Sequence, residues 1–205
     1  MQTPKTLTHR YWFLFSSIGL LAATAVPAPA TEWKLENQYV RYVIGGDGRN
    51  VHFTDPRDGE DHLAAGDARP CAQVKIAGKQ IAATEAIYAD GKLAIAFGDC
   101  GVRAVVGVDV RPHYLVFEVL AVEGPEIEEL TIVEVPLALK GTPEESFAGC
   151  ALALNLKTKV PEIPRANSRL RAFCYPRFGL VGAKVALVGC PQDELRQVLQ
   201  EVVNE

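Results

Sequence analysis

Apolar and polar positions across residues 31–190 change over in short runs of strand length, each ended by turn-forming residues. Trp33, Leu35, Tyr39, Val40, Tyr42 and Ile44 fall in the first pair of extended runs. Gly45-Gly46-Asp47-Gly48 then breaks the chain with residues that tolerate positive φ. Val51 and Phe53 alternate with His52 and Thr54 before a second turn, Asp55-Pro56-Arg57-Asp58-Gly59. Later runs cover 72–76, 83–88, 93–97 and 102–110, with Ala89-Asp90-Gly91-Lys92 as a hairpin turn among them. The strongest strand pattern is central. Residues 114–122 read YLVFEVLAV and 127–139 read IEELTIVEVPLAL, β-branched and aromatic on either side of the turn Glu123-Gly124-Pro125-Glu126. Residues 147–156 and 184–188 add two more runs. Strands roughly every 10 residues, without amphipathic helices between them, predict an all-β fold: an antiparallel β-sandwich, not a parallel α/β sheet.

The two ends depart from this pattern. Residues 1–10 carry Lys5 and Arg10 without an acid, 11–26 are almost wholly apolar, and Ala28-Pro29-Ala30 supplies small residues at the −3 and −1 positions. That is the layout of a cleaved signal peptide over residues 1–30, and the apolar run is shorter than the roughly 20 residues of a comfortable membrane span. At the other end, Pro191 suits a first helical turn, with Asp193 and Glu194 favourable near its positive pole. Leu195, Val198, Leu199 and Val202 follow at i, i+3, i+4 and i+7, which predicts an amphipathic helix over 191–205. Its apolar stripe must be covered, either by the domain itself or by a following domain to which the helix is the linker; the second is the expectation.

Composition narrows the function classes. The chain has 205 residues and a net charge of −4; loss of Lys5 and Arg10 with the signal would take this to about −6. Mild acidity argues against nucleic acid or an anionic membrane as partner, since both need a positive patch. No cofactor is expected. The irregular segment 155–172 is locally basic through Lys157, Lys159, Arg165, Arg169 and Arg171, and reads as a solvated connector. Cys71, Cys100, Cys150, Cys174 and Cys190 are widely spaced and lack a CxxC, so they read mainly as buried small hydrophobes, with one or two bridges left open.

No motif carries catalysis. The glycine turn matches neither GxGxxG nor GxxxxGK[ST]. Asp55, Asp58, Glu60 and Asp61 do not follow the EF-hand spacing and read as turn residues, so no metal is assigned. His52, His62 and His113 are isolated; Ser146 and Ser168 lie outside GxSxG; Glu126, Glu128 and Glu129 read as a solvated edge at a turn and strand start. Of the aromatic residues, most fall in strand patterns and predict core packing. Tyr175 differs, because the loop FCYPRF breaks at a proline and leaves its ring exposed, with Arg177 beside it to donate hydrogen bonds. Tyr175 and Arg177 are therefore the substrate-contact candidates.

Three segments carry a family resemblance: LENQYVRYVIGGDGRNVHFTDPRDGEDHL, PHYLVFEVLAVEGPEIEELTIVEVPL and FCYPRFGLVGAKVALVGCPQDELRQVLQEVVNE. Together they resemble the opening turns, central meander, and final strand with linker helix of the galactose mutarotase-like supersandwich domains that precede the barrels of secreted bacterial glycoside hydrolases. The resemblance implies a non-catalytic, carbohydrate-associated module, secreted or periplasmic, packed against a C-terminal catalytic domain that holds the catalytic carboxylates. The alternatives are a free-standing secreted binding or scaffold protein whose terminal helix folds back, and an aldose 1-epimerase-type enzyme using His52 and His113.

Overall fold

The computed structural model describes residues 31–66, 70–163 and 165–204, so the signal-peptide segment 1–30 lies outside the described residues. Among the described residues, thirteen strands and one short α-helix follow the expected all-β course. A three-stranded meander comes first: β1 (Glu32–Glu36), β2 (Arg41–Gly45) and β3 (Asn50–Thr54), paired antiparallel in that order. The rest is one antiparallel ladder. It is built from β4 (Gln73–Ile76), β5 (Lys79–Ala89), β6 (Lys92–Phe97), β7 (Val102–Val110), β8 (Tyr114–Glu123), β9 (Glu129–Pro136), β10 (Phe147–Ala153), β11 (Thr158–Lys159), β12 (Arg169–Cys174) and β13 (Lys184–Pro191). Their spatial order is β10-β13-β8-β7-β6-β5-β4-β9-β12-β11.

The ladder becomes a sandwich at β5. Residues 79–82 pair with β4, while residues 83–89 pair with β6, and a bulge between Ala83 and Glu85 marks the changeover. The two halves thus fold face to face and almost close: the Asn167 amide, just before β12, donates to the Gly149 carbonyl of β10 at 2.8 Å. Between them lie Phe97, Leu115, Phe117, Leu130 and Leu170, each 1% exposed or less. The meander fills the remaining gap. Tyr42 and Phe53 pack edge to face with each other, and with Phe117 and Phe147 respectively. Asn50 Nδ2 donates to the Glu134 carbonyl of β9, and Trp33 Nε1 to the Ala86 carbonyl of β5.

Gly48 shows why the first turn needs glycine. Its φ is +75°, and a Cβ there would sit 2.9 Å from the Ala83 backbone. The Asp-Pro-Arg-Asp-Gly turn closes as expected, the Gly59 amide donating to the Asp55 carbonyl at 2.8 Å. Its acids cap the backbone: Asp55 accepts from the Arg57 amide, Asp58 from Glu60, and Asp61 from Phe53 and Leu63.

β13 and the first half of β8 read as unbroken apolar runs because both faces are covered. Leu115, Phe117, Val185 and Leu187 face the sandwich core, whereas Tyr114, Val116, Ala186, Val188 and Cys190 lie under the C-terminal helix. That helix, α1 (Leu195–Asn204), starts later than 191; Pro191 ends β13 and residues 192–194 form a single 3-10 turn. Leu195, Val198 and Val202 are buried on β8, β10 and β13, each burial contributing about 1.5–3 kcal/mol. The stripe is thus covered by the chain's own sheet. Polar contacts fasten both ends of α1: Tyr39 donates to Glu194, and His113, stacked on Tyr39 at 5.0 Å, meets Glu201 at 2.6 Å.

One expectation fails. Residues 155–172 were expected to be an irregular connector, yet they supply β11 and most of β12. In β12 the arginines alternate with Leu170, Ala172 and Cys174, which point inward and are fully buried.

Candidate ligand-binding cleft

Three loops meet at one end of the sandwich around a cleft of about 930 Å³. The first is the β4–β5 hairpin. Ile76 pairs with Lys79, which leaves Ala77-Gly78 as a two-residue loop with φ of +47° and +76°. The second is the approach to β9, where Ile127 is buried and holds Glu126 and Glu128 outward. The third follows β12: Pro176 opens a 3-10 turn over Pro176–Phe178, closed by the Phe178 amide on the Tyr175 carbonyl at 3.0 Å.

Tyr175 and Arg177 both line this cleft, opposite Glu126, Glu128, Glu129 and Lys75. Partial burial, and then a hydrogen bond to the Glu129 carboxylate, raise the Tyr175 hydroxyl above its usual pKa. The Arg177 guanidinium lies over two rings, 5.5 Å from the Tyr175 centroid and 4.6 Å from that of Phe178. Glu128 accepts from the Gly78 amide at 2.8 Å and stands 3.6 Å from Lys75 Nζ. The carboxylates sit on the cleft wall, not on a detached edge, because β9 is hydrogen-bonded to both β4 and β12. Phe178, 52% exposed, sets a further ring beside Arg177. The cleft therefore offers a half-exposed aromatic and guanidinium surface with hydrogen-bonding carboxylates facing it.

The histidines lie elsewhere. His52 pairs with Asp61 at 2.7 Å, His113 with Glu201, and His62 is buried against the Phe147 ring at 4.1 Å. His52 and His113 are thus each engaged by a different carboxylate, and neither lines the cleft. Tyr39, Tyr42 and Tyr114 are buried, as their strand patterns predict. The five cysteines are free; Cys71, Cys150, Cys174 and Cys190 are buried, which pushes their thiols to about 12, 11, 12 and 12. Sequence reasoning missed the contribution of the Ala77-Gly78 turn, although Ala-Gly between two apolar runs was a hairpin signal.

No known protein family matches this chain, and no curated protein does.

Proposed function

We propose that this protein is a non-catalytic, carbohydrate-binding β-sandwich module of a secreted or periplasmic bacterial protein. One observation carries the reading: half-buried Tyr175 and exposed Arg177, on a proline-broken loop, converge with Glu126, Glu128 and Glu129 on a single open cleft. Pyranose faces stack on flat apolar rings, and carboxylates and guanidinium donors fix ring hydroxyls by hydrogen bonds. A glycan-array screen of the purified chain, followed by titration of the best oligosaccharide, tests it. Tyr175→Ala and Arg177→Ala each weaken binding about tenfold or more if the reading is right. No saturable glycan, or binding untouched by both substitutions, rejects it.

Attachment to a glycoside hydrolase barrel rests on the family resemblance and belongs to the same proposal. Sizing the native gene product by immunoblot tests that part: a mass far above 22.2 kDa supports it, and one near 22.2 kDa rejects it. The burial of Leu195, Val198 and Val202 on the chain's own sheet favours a second reading, in which the domain is a self-sufficient binding or scaffold protein.

A further inference from the structure

A second groove, of about 550 Å³, runs along the flank of α1 that faces the segment before β12. Its floor is Leu195, Leu199 and Val203, spaced i, i+4 and i+8, so that the apolar strip is about 12 Å long. Val203 is 72% exposed. Arg165 and Arg196 flank this strip, and none of the described lining residues is acidic. The carboxylates of Glu194 and Glu201 are taken up by Tyr39 and His113. Glu162 is likewise held, by Arg171 at 2.9 Å. Half-buried Gln192 also lines the groove, its Oε1 enclosed without a hydrogen-bond partner among the described residues.

We propose that this groove binds an anionic amphiphile with a single alkyl chain and a carboxylate head. The head sits at the amino-terminal end of α1, where Gln192 and Arg196 lie in or next to the first turn and Arg165 approaches from the neighbouring segment. Asp193 and Glu194 already stand at the positive pole of the helix, so the head's charge is met by the two guanidiniums. These guanidiniums, neither with an acidic partner among the described residues, select an anion over a neutral or cationic head. The chain runs along Leu195 and Leu199 to Val203. This site is separate from the Tyr175 cleft and gives Arg165, part of the basic segment noted in the sequence, a role beyond solvation.

Calorimetric titration of the full chain with dodecanoate, below its micellar concentration, tests the proposal. One saturable site is expected, with affinity rising roughly fourfold for each added methylene from octanoate to dodecanoate. The double substitution Arg165→Gln/Arg196→Gln weakens dodecanoate at least tenfold and leaves dodecanol unchanged. Val203→Asp, on an exposed position that leaves the melting temperature in place, weakens both. Absence of saturable binding overturns the proposal. So does a double variant that binds dodecanoate like the parent chain, or a dodecylammonium ion that binds as tightly as dodecanoate.

Discussion

The hydroxyl of Tyr39 donates a hydrogen bond to the carboxylate of Glu194, 155 residues further along the chain. Together with the His113–Glu201 contact it pins α1 at both ends while the apolar stripe seats its middle. The carboxylate acceptor holds the Tyr39 pKa up at about 12, the hydrogen bond outweighing the burial that acts in the same direction. A group whose folded pKa is raised stabilises the fold fully below its unfolded value, near 10, and loses that contribution as pH climbs through 12. Tyr39→Phe is expected to cost about 1–3 kcal/mol at neutral pH and to flatten the tyrosine-linked part of the alkaline stability loss. Urea titrations from pH 8 to 12 check both.

On the acid side the sign reverses. Hydrogen bonds from Arg41 and then Lys34 pull Glu36 down to about 2. Its stabilising contribution is present above pH 4.5 and fades as pH falls toward 2. Glu36→Gln is expected to shrink the stability difference between pH 5 and pH 2, measured by thermal melts across that window. An unchanged acid limb in the variant contradicts the assignment.

Gly189 lies beneath the Phe53 and Phe147 rings, and an added Cβ would meet them at 2.9 and 3.0 Å. Both rings belong to the buried core, so neither has room to yield. Gly189→Ala is expected to destabilise the fold by about 1–3 kcal/mol, seen as a lower urea midpoint with little change in slope.

Ala77 adopts φ of +47° at the tip of the β4–β5 hairpin. The left-handed conformation costs an alanine about 1–2 kcal/mol, partly offset by the extra chain entropy that a glycine loses. Ala77→Gly is therefore expected to stabilise the fold by about 0.5–1 kcal/mol, read as a modestly higher urea midpoint. A lower midpoint would show that this turn is not strained.

The thiols separate by burial. Cys100 is half-buried and donates to the Phe97 carbonyl, while the other four are enclosed in the core. A thiol-reactive chromophore is expected to titrate at most one cysteine quickly in the native protein and all five in denaturant. Rapid native reaction of two or more would contradict the packing.

Much of the architecture was legible in local patterns. The β-branched runs of β8 and β9 and the i, i+3, i+4, i+7 spacing of α1 identify their elements unaided. β12 was not, because the arginines in its sequence RLRAFC read as surface charge and hid the period-two alternation of Leu170, Ala172 and Cys174. Tyr175 and Arg177 stood out through Pro176. Their meeting with Glu126, Glu128 and Glu129 was hidden, since it depends on β9 pairing with β12 across a long loop. The Tyr39–Glu194 contact carries no local signal at all.

Strand β5 belongs to both halves of the sandwich, and this has a kinetic corollary. Residues 79–82 are hydrogen-bonded to one half and 83–89 to the other, so neither half can open without disturbing the same strand. Amide hydrogen exchange should accordingly find the central amides of β5 among the slowest in the molecule, released only by global unfolding. The edge strand β11 and the turns around the cleft should exchange through smaller, faster openings. The loops around the cleft would then be free to adjust while the frame that holds them stays shut.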